Sequence, residues 1–202
     1  MKKYIWIFFI GIIFIGIMIW ISSNQPKGSN YTAEKMEAKT DSPSAFNNMI
    51  ESKTMISDFT TKLPKDTKAR YSNIDLACQT LNGTVIKAGE VFSLWKILGC
   101  PSPEKGYRKA KTFTSGGKVK QSYGGGLCQV STTIYNAVLE AEGLEVIERH
   151  EHSRDVVYIK DGKDAAVSYK SGDFRFKNTL DYDIQLEAKV EENKVKITLV
   201  RI

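Results

Sequence analysis

The feature that most constrains this chain lies at its start: from Tyr4 to Ile21 eighteen residues run without a charge, nearly all Ile, Phe, Trp, Gly or Met. At about 1.5 Å per residue such a run spans roughly 27 Å as a helix, enough to cross a hydrocarbon core. Lys2 and Lys3 precede it, and positive flanks stay cytoplasmic, so the rest of the chain is expected on the outer side. Trp6 and Trp20 fall near the two ends, where interfacial aromatic belts sit. The rival reading, a cleaved signal peptide, needs small residues at a cleavage site, and Ile21-Ser22-Ser23-Asn24-Gln25 offers no A-x-A pattern. The sequence predicts a cytoplasmic tip and single-pass anchor over 1–21, a flexible linker rich in Ser, Lys, Asn, Thr and Pro over 22–45, and an extracytoplasmic domain over 46–202.

About 180 residues follow the anchor, long enough for one domain with its own core. Of the formal +6 charge, Lys2 and Lys3 carry two, leaving a mild +4 outside. That bias favours loose attraction to anionic wall polymers or headgroups. No Arg/Lys run or basic–aromatic stripe points to nucleic acid, which is not expected as a partner. The three cysteines, Cys78, Cys100 and Cys128, cannot all pair within one chain. Cys78 shares a helical face with Ile74, Ala77 and Leu81 and reads as a small core residue, with a Cys78–Cys100 bridge as the alternative.

Periodicity organises the remainder. Helical spacing at Phe46, Met49 and Ile50 gives way to strand character over 56–63. A helix over 72–81 ends at the Asn82-Gly83 turn, and strands are expected at 84–86 and 90–94. Loops dominate 99–126. A strong helix is predicted over 129–142, with Val130, Ile134, Ala137, Val138 and Ala141 as its apolar stripe and Gly143 behind it. The period then changes, and strands are predicted at 144–149, 155–160, 163–169, 173–177, 184–190 and 194–200, with Asp161-Gly162 as a two-residue hairpin turn. Helix first and antiparallel strands after it define an α+β class: a helix packed on an antiparallel sheet, preceded by one transmembrane helix.

The sharpest local feature is Gly124-Gly125-Gly126-Leu127-Cys128-Gln129, which opens straight into that helix. Glycines admit positive φ and close backbone approach. A cysteine at a helix N-terminus meets the positive end of the macrodipole, which favours the thiolate, and the free N–H groups there suit an oxyanion. The chain's two histidines, His150 and His152, lie downstream. A helix-capping Cys, then a His near a strand, then carboxylates is the order seen in papain-like and transglutaminase-like thiol enzymes. The orienting carboxylate is weighed by register. If Asp161-Gly162 closes a regular hairpin, Ile159 faces Asp164, and His152 lies seven residues farther along, roughly 23 Å away. On that register Asp173 is the orienting candidate and Asp155 a local alternative. Each residue also has a purely structural reading: Cys128 packed under the glycine turn, His152 satisfying a loop carbonyl. His-x-His with a distant Cys is not a structural zinc spacing, and Gly116-Gly117-Lys118 lacks a phosphate-loop frame. No metal and no cofactor is expected.

A wider set of landmarks is present: Asn73-Ile74, Leu81-Asn82-Gly83, Gly89-Glu90-Val91-Phe92-Ser93, Gly106-Tyr107, Ala110, and Gly124 through Gln129 with Ser131-Thr132. It continues with Glu148-Arg149, His152-Ser153, Tyr158, Asp164-Ala165, and Asp173 with Phe176-Lys177-Asn178. From about residue 56 onward the sequence resembles the VanW family, named for an accessory protein of the vancomycin B-type resistance cluster. The resemblance implies a bacterial, often membrane-anchored protein with a cell-envelope role near peptidoglycan or glycopeptide response, and does not imply a reaction. Ala88 stands where the family tends to have Pro, and Trp95-Lys96 replaces an Asn-containing segment. Two function classes follow. One is a thiol acyl-transfer enzyme (amidase, peptidase or transpeptidase) on peptidoglycan peptides, with Cys128 as nucleophile, His152 as base and Asp173 or Asp164 as orienter. In it Gly124, Gly125, Gly126, Gln129 and Ser131 shape the binding cleft. The other is a non-catalytic envelope-binding or accessory module linked to the glycopeptide antibiotic response.

Overall fold

In a computed structural model of the protein, residues 53–113 and 118–202 are described. The expected anchor, the linker and the helical spacing at 46–50 lie outside them, and among the described residues no helix is long and apolar enough to cross a membrane. The chain runs β1 (Thr54–Lys62), α1 (Lys68–Leu81), β2 (Thr84–Ile86), β3 (Val91–Ser93), a short α2 (Leu94–Leu98) and a 3-10 turn at Pro103–Lys105. It continues with β4 (Ala110–Phe113), β5 (Val119–Ser122), α3 (Leu127–Glu140), β6 (Leu144–Glu148), β7 (Arg175–Asn178), β8 (Ile184–Glu191) and β9 (Lys194–Arg201).

Strict alternation builds the main sheet. Ile184, Leu186 and Ala188 of β8 and Val195, Ile197 and Leu199 of β9 are buried on one face, as period-two side chains must be when one face meets the core. The four strands pair antiparallel in the order β1-β9-β8-β2. Helix α1 packs against β8, and α3 packs against β1 and β9. A second antiparallel sheet, β3-β7-β6, adds Phe92 stacked on Phe176 at 4.8 Å. Between β6 and β7, Phe174 meets Tyr135 of α3 edge-on at 5.8 Å. The hairpin β4-β5 forms its own two-stranded sheet. The α+β class read from the period change holds, with helices packed on antiparallel sheets.

Helix α1 begins where the Thr67 hydroxyl accepts the Arg70 N–H at 3.3 Å and ends at Leu81, where Gly83 turns the chain at φ +83°. Its inward face is Asn73, Ile74, Ala77, Cys78 and Leu81. Burial, with Asp75 adding to it, pushes the Cys78 thiol up to about 12, so it behaves as a small core residue. All three cysteines are free, so the alternative Cys78–Cys100 bridge is not formed.

Two predicted strands are absent. Residues 155–160 and 163–169 are irregular, and the strand-like pairing left in the second is the two isolated bridges between His150 and Ala166 and between Ser168 and Gly172. The alternation that suggested strands is not matched by burial: Val157 is 88% exposed while Ala165 is fully buried. Side chains of α3, rather than a neighbouring strand, hold this segment.

Asn73 joins three parts of the fold. Fully buried, it donates from Nδ2 to the carbonyls of Arg108 at 2.8 Å and Gly125 at 3.0 Å, and its Oδ1 accepts the Arg108 N–H at 2.8 Å. Asn73→Ala strands those backbone groups and is expected to lower unfolding free energy by about 1–3 kcal/mol. Urea denaturation measures this, and an unchanged midpoint at unchanged slope would show that the clamp contributes nothing.

Candidate active site

The glycine turn sets where α3 can begin. A Cβ on Gly125 would lie 2.5 Å from the Ala110 side chain and 2.8 Å from its carbonyl carbon, and one on Gly126 would lie 2.7 Å from Ile74. Gly126 also takes φ +111°. Only glycine lets this turn pass so close to β4 and α1. Gly124 has ordinary room around it. Cys128 is thereby the second residue of α3, partly exposed, with its Sγ donating to the Val167 carbonyl at 3.5 Å.

Cys128, Thr132 and Asn136 recur every four residues and share one face of α3. Asn136 Nδ2 donates to the Lys163 carbonyl at 2.7 Å, and the Thr132 hydroxyl accepts the Ala165 N–H at 2.9 Å. The segment 163–167 is thus laid antiparallel along that face, with Asp164 held between two clamped neighbours. Asp164 Oδ2 accepts both the His152 backbone N–H at 2.7 Å and ring Nδ1 at 2.5 Å. Its Oδ1 accepts Arg149 Nη2 at 3.0 Å, while Arg149 Nε donates to the Asp164 carbonyl at 2.7 Å. The Arg149 guanidinium lies over the Tyr135 ring, 5.2 Å from its centroid.

The hairpin register that set Asp164 far from His152 is therefore corrected. The His150–Ala166 bridge fixes the pairing, and His152 and Asp164 stand two residues inward of it on either side. Asp173 is elsewhere: its carboxylate accepts the Ser93 hydroxyl at 2.5 Å, the Trp95 N–H at 3.2 Å and its neighbour's Phe174 N–H at 2.8 Å. Asp155 has no bond to His152 in this network. His150 pairs with Glu148 at 2.9 Å.

With Nδ1 committed to Asp164, Nε2 is the ring nitrogen left free on the His152 side chain, which lines the same cleft as Cys128. Burial works to lower the His152 pKa, but the bond and charge of Cys128 and then of Asp164 outweigh it, so the value stands above the ordinary 6.5. Burial likewise works to raise Asp164, and the N–H groups and ring of His152 overcome it, holding the carboxyl below 3.8. Tyr158 faces the same thiol: burial and the Cys128 charge raise its phenol pKa against the pull of Arg70 and a bond to Thr132.

Cys128 and His152 line a cleft of about 720 Å³ with Gly124, Gly126, Tyr158 and Arg70. Gln129 and Ser131 face inward instead, both fully buried. Gln129 Nε2 donates to Thr61 Oγ1 at 3.1 Å and the Lys62 carbonyl at 3.0 Å, and its Oε1 accepts Arg70 Nη2 at 3.2 Å. Arg149, Thr132, Tyr158 and Arg70 had no role assigned from sequence, because their contacts span separate elements. Among the described residues no cluster of His, Cys, Asp and Glu is arranged to hold a metal ion.

The fold and site define a small α+β protein with a cysteine in the first turn of a helix, lining one cleft with a His–Asp couple. The chain belongs to the VanW family: the family described as VanW like protein matches residues 69–200. It is 35% identical over 144 residues to the uncharacterized protein YoaR of Bacillus subtilis, covering 71% of this chain and 47% of that protein. It is 31% identical over 129 residues to the vancomycin B-type resistance protein VanW of Enterococcus faecalis, covering 61% of this chain and 46% of that protein. The chain therefore spans about half the length of these curated relatives. No solved structure matches it.

The two shifts fix a pH window. His152, raised above 6.5, contributes stability that is fully present below 6.5 and lost as pH rises through its folded value. Asp164, lowered below 3.8, contributes stability present above 3.8 and lost as pH falls through its folded value. Stability from the couple is thus greatest between the two ordinary values. Asp164→Asn should lower the His152 midpoint in an NMR titration of its ring protons and flatten the alkaline decline of the thermal midpoint. A His152 midpoint indifferent to Asp164→Asn would remove the ion pair from this account.

Proposed function

We propose that the protein is a thiol acyl-transfer enzyme acting on peptidoglycan peptides outside the cell membrane, held there by the charge-free N-terminal span. The observation that carries this reading is the grouping of Cys128 with the hydrogen-bonded His152–Asp164 couple, His152 and Cys128 both lining one open cleft. Asp164 fixes the imidazole by Nδ1, so Nε2 takes the Cys128 proton. The thiolate attacks the carbonyl carbon of a substrate amide, and charge builds on the carbonyl oxygen. Leu127 and Gln129 already donate their N–H groups to the Gly124 and Gly126 carbonyls, so the Cys128 N–H of the first turn of α3 is the donor assigned to that oxyanion. Protonated His152 then delivers its proton to the leaving amine, the C–N bond breaks, and a Cys128 thioester remains. Water or a second amine, deprotonated by His152, attacks the thioester and releases the thiol, giving hydrolysis or transfer. The relative's printed link to vancomycin resistance fits an enzyme that alters wall peptides.

The test is pH-dependent alkylation by iodoacetamide, read at each cysteine by mass spectrometry of the digested protein. Exposed Cys100 is the internal reference. At about pH 6 native Cys128 is expected to react on the order of tenfold faster than Cys100, because a thiolate held by imidazolium persists where an ordinary thiol is protonated. His152→Ala should abolish the advantage. Cys128→Ala should end any release of amines or change in cross-links from purified peptidoglycan while leaving the fold intact. Native Cys128 reacting more slowly than the unfolded chain at every pH would return the cleft to a binding module. For the anchor, protease added to intact protoplasts should digest the domain, and a protected domain would overturn the orientation.

A further inference from the structure

The cleft is electrically one-sided. From Lys105 to Leu139 the chain carries Lys105, Arg108, Lys109, Lys111, Lys118 and Lys120 and no Asp or Glu. This stretch contains β4 and β5, and Lys111 and Lys120 line the cleft wall, both exposed and without an ion pair to any described residue. Lys170 lines the same space. Among the described residues the only carboxylate lining it is Glu151, already tied to Arg149 at 2.6 Å. A low-dielectric cleft with one sign of charge concentrates ligands of the other.

Arg70 is the deepest of these cations. Its side chain is 13% exposed, and its Nη2 is oriented by Gln129 Oε1 at 3.2 Å. Its Nε, buried and without a hydrogen-bond acceptor, stands 3.6 Å from Asp66 Oδ2. Arg70, Cys128 and Tyr158 line the same cleft. A largely buried guanidinium lining the cleft, held by Gln129 and with its buried Nε lacking a hydrogen-bond acceptor among the described residues, suits binding of a carboxylate.

We propose that the cleft selects anionic peptides and that Arg70 receives a carboxylate of the substrate whose amide Cys128 attacks. The lysines of β4 and β5 supply long-range attraction, and Arg70 supplies discrimination. The carboxylate is either the peptide's C-terminus or an acidic side chain. This assignment rests on reading the Cys128 cleft as the acyl-transfer site.

Binding rather than turnover tests it, so that an inert thiol and a wrong anchor give different results. Full-length Cys128→Ala protein in detergent is titrated calorimetrically with stem peptides released from purified peptidoglycan. The peptides are used as free acids, after C-terminal amidation, and after amidation of every carboxyl. Full amidation is expected to weaken binding on the order of tenfold or more, as loss of a charge-assisted bond does. Weakening already complete on C-terminal amidation assigns the terminal carboxylate, and weakening only on full amidation assigns the side chain. Arg70→Gln in the same background should bind acid and amidated peptides alike. Lys111→Ala with Lys120→Ala, at exposed positions, should lower affinity and flatten its salt dependence. Equal affinity for free and fully amidated peptides overturns the proposal, as does an Arg70→Gln protein that still discriminates or the absence of binding by any peptide. Discrimination that survives alongside a chemically inert Cys128 sinks the acyl-transfer reading and leaves the carboxylate site standing.

Discussion

The site depends on one face of α3. Cys128, Thr132 and Asn136 point the same way, and the lower two clamp residues 163 and 165 through buried hydrogen bonds. Thr and Asn are indifferent helix formers because they compete for backbone bonds, and here that competition is turned to use. Asn136 Nδ2 bonds the Thr132 carbonyl at 2.8 Å as well as the Lys163 carbonyl. Thr133 does the same toward the Gln129 carbonyl at 2.8 Å while meeting Thr61 across to β1 at 2.8 Å. The helix is buried nearly all round, so each polar side chain must find a partner or cost stability. Apart from the Ser131 hydroxyl, which has no partner among the described residues, those partners lie on α1, β1 and the 163–167 segment, and satisfying them fixes where Asp164 stands.

What was legible in the sequence follows from this. β8, β9 and β6 were readable because alternation and burial coincide there, and α3 was readable within two residues at each end from its 3.6-residue stripe. The glycine turn was readable as a close approach, although not which of its residues demanded glycine. The His152–Asp164 couple was not legible. Its register comes from the His150–Ala166 bridge, and that bridge exists because α3 anchors the return segment. Local turn chemistry at Asp161-Gly162 does form a turn, with Lys163 N–H bonding the Lys160 carbonyl at 3.2 Å, but no regular ribbon extends from it. A two-residue turn fixes register only when strands follow it. Gln129 and Ser131 were assigned to the cleft by proximity to Cys128, whereas helical geometry turns both into the core.

The chain's own cysteines show how environment decides chemistry. Cys78 sits among Ile74, Ala77 and Leu81 with Asp75 nearby, and burial drives its thiol up to about 12, out of reach of ionisation near neutrality. Cys128 is partly exposed, lies in the first turn of a helix, and lines a cleft with an imidazole whose proton affinity it raises. Both lie on helices of the same core. The difference is that α1 presents Cys78 to apolar side chains, while the glycine turn opens one side of α3 to the cleft.

Asp173, removed from the His152–Asp164 couple, reaches the cleft by another route. Its carboxylate joins the Ser93 hydroxyl that caps α2 to the backbone N–H of Trp95. The indole N–H of Trp95 bonds the Gly172 carbonyl at 2.9 Å, and its ring meets Tyr169 edge-on at 5.7 Å. Trp95 and Tyr169 both line the cleft, so Asp173 fixes the wall rather than the imidazole. One carboxylate therefore holds the His152 ring and another shapes the space beside it. They are separated by nine residues in sequence and distinguished only by which element each is packed against. That is why no spacing rule could tell them apart, and why the His152 ring, not the carboxylate, is where the search for the triad has to begin.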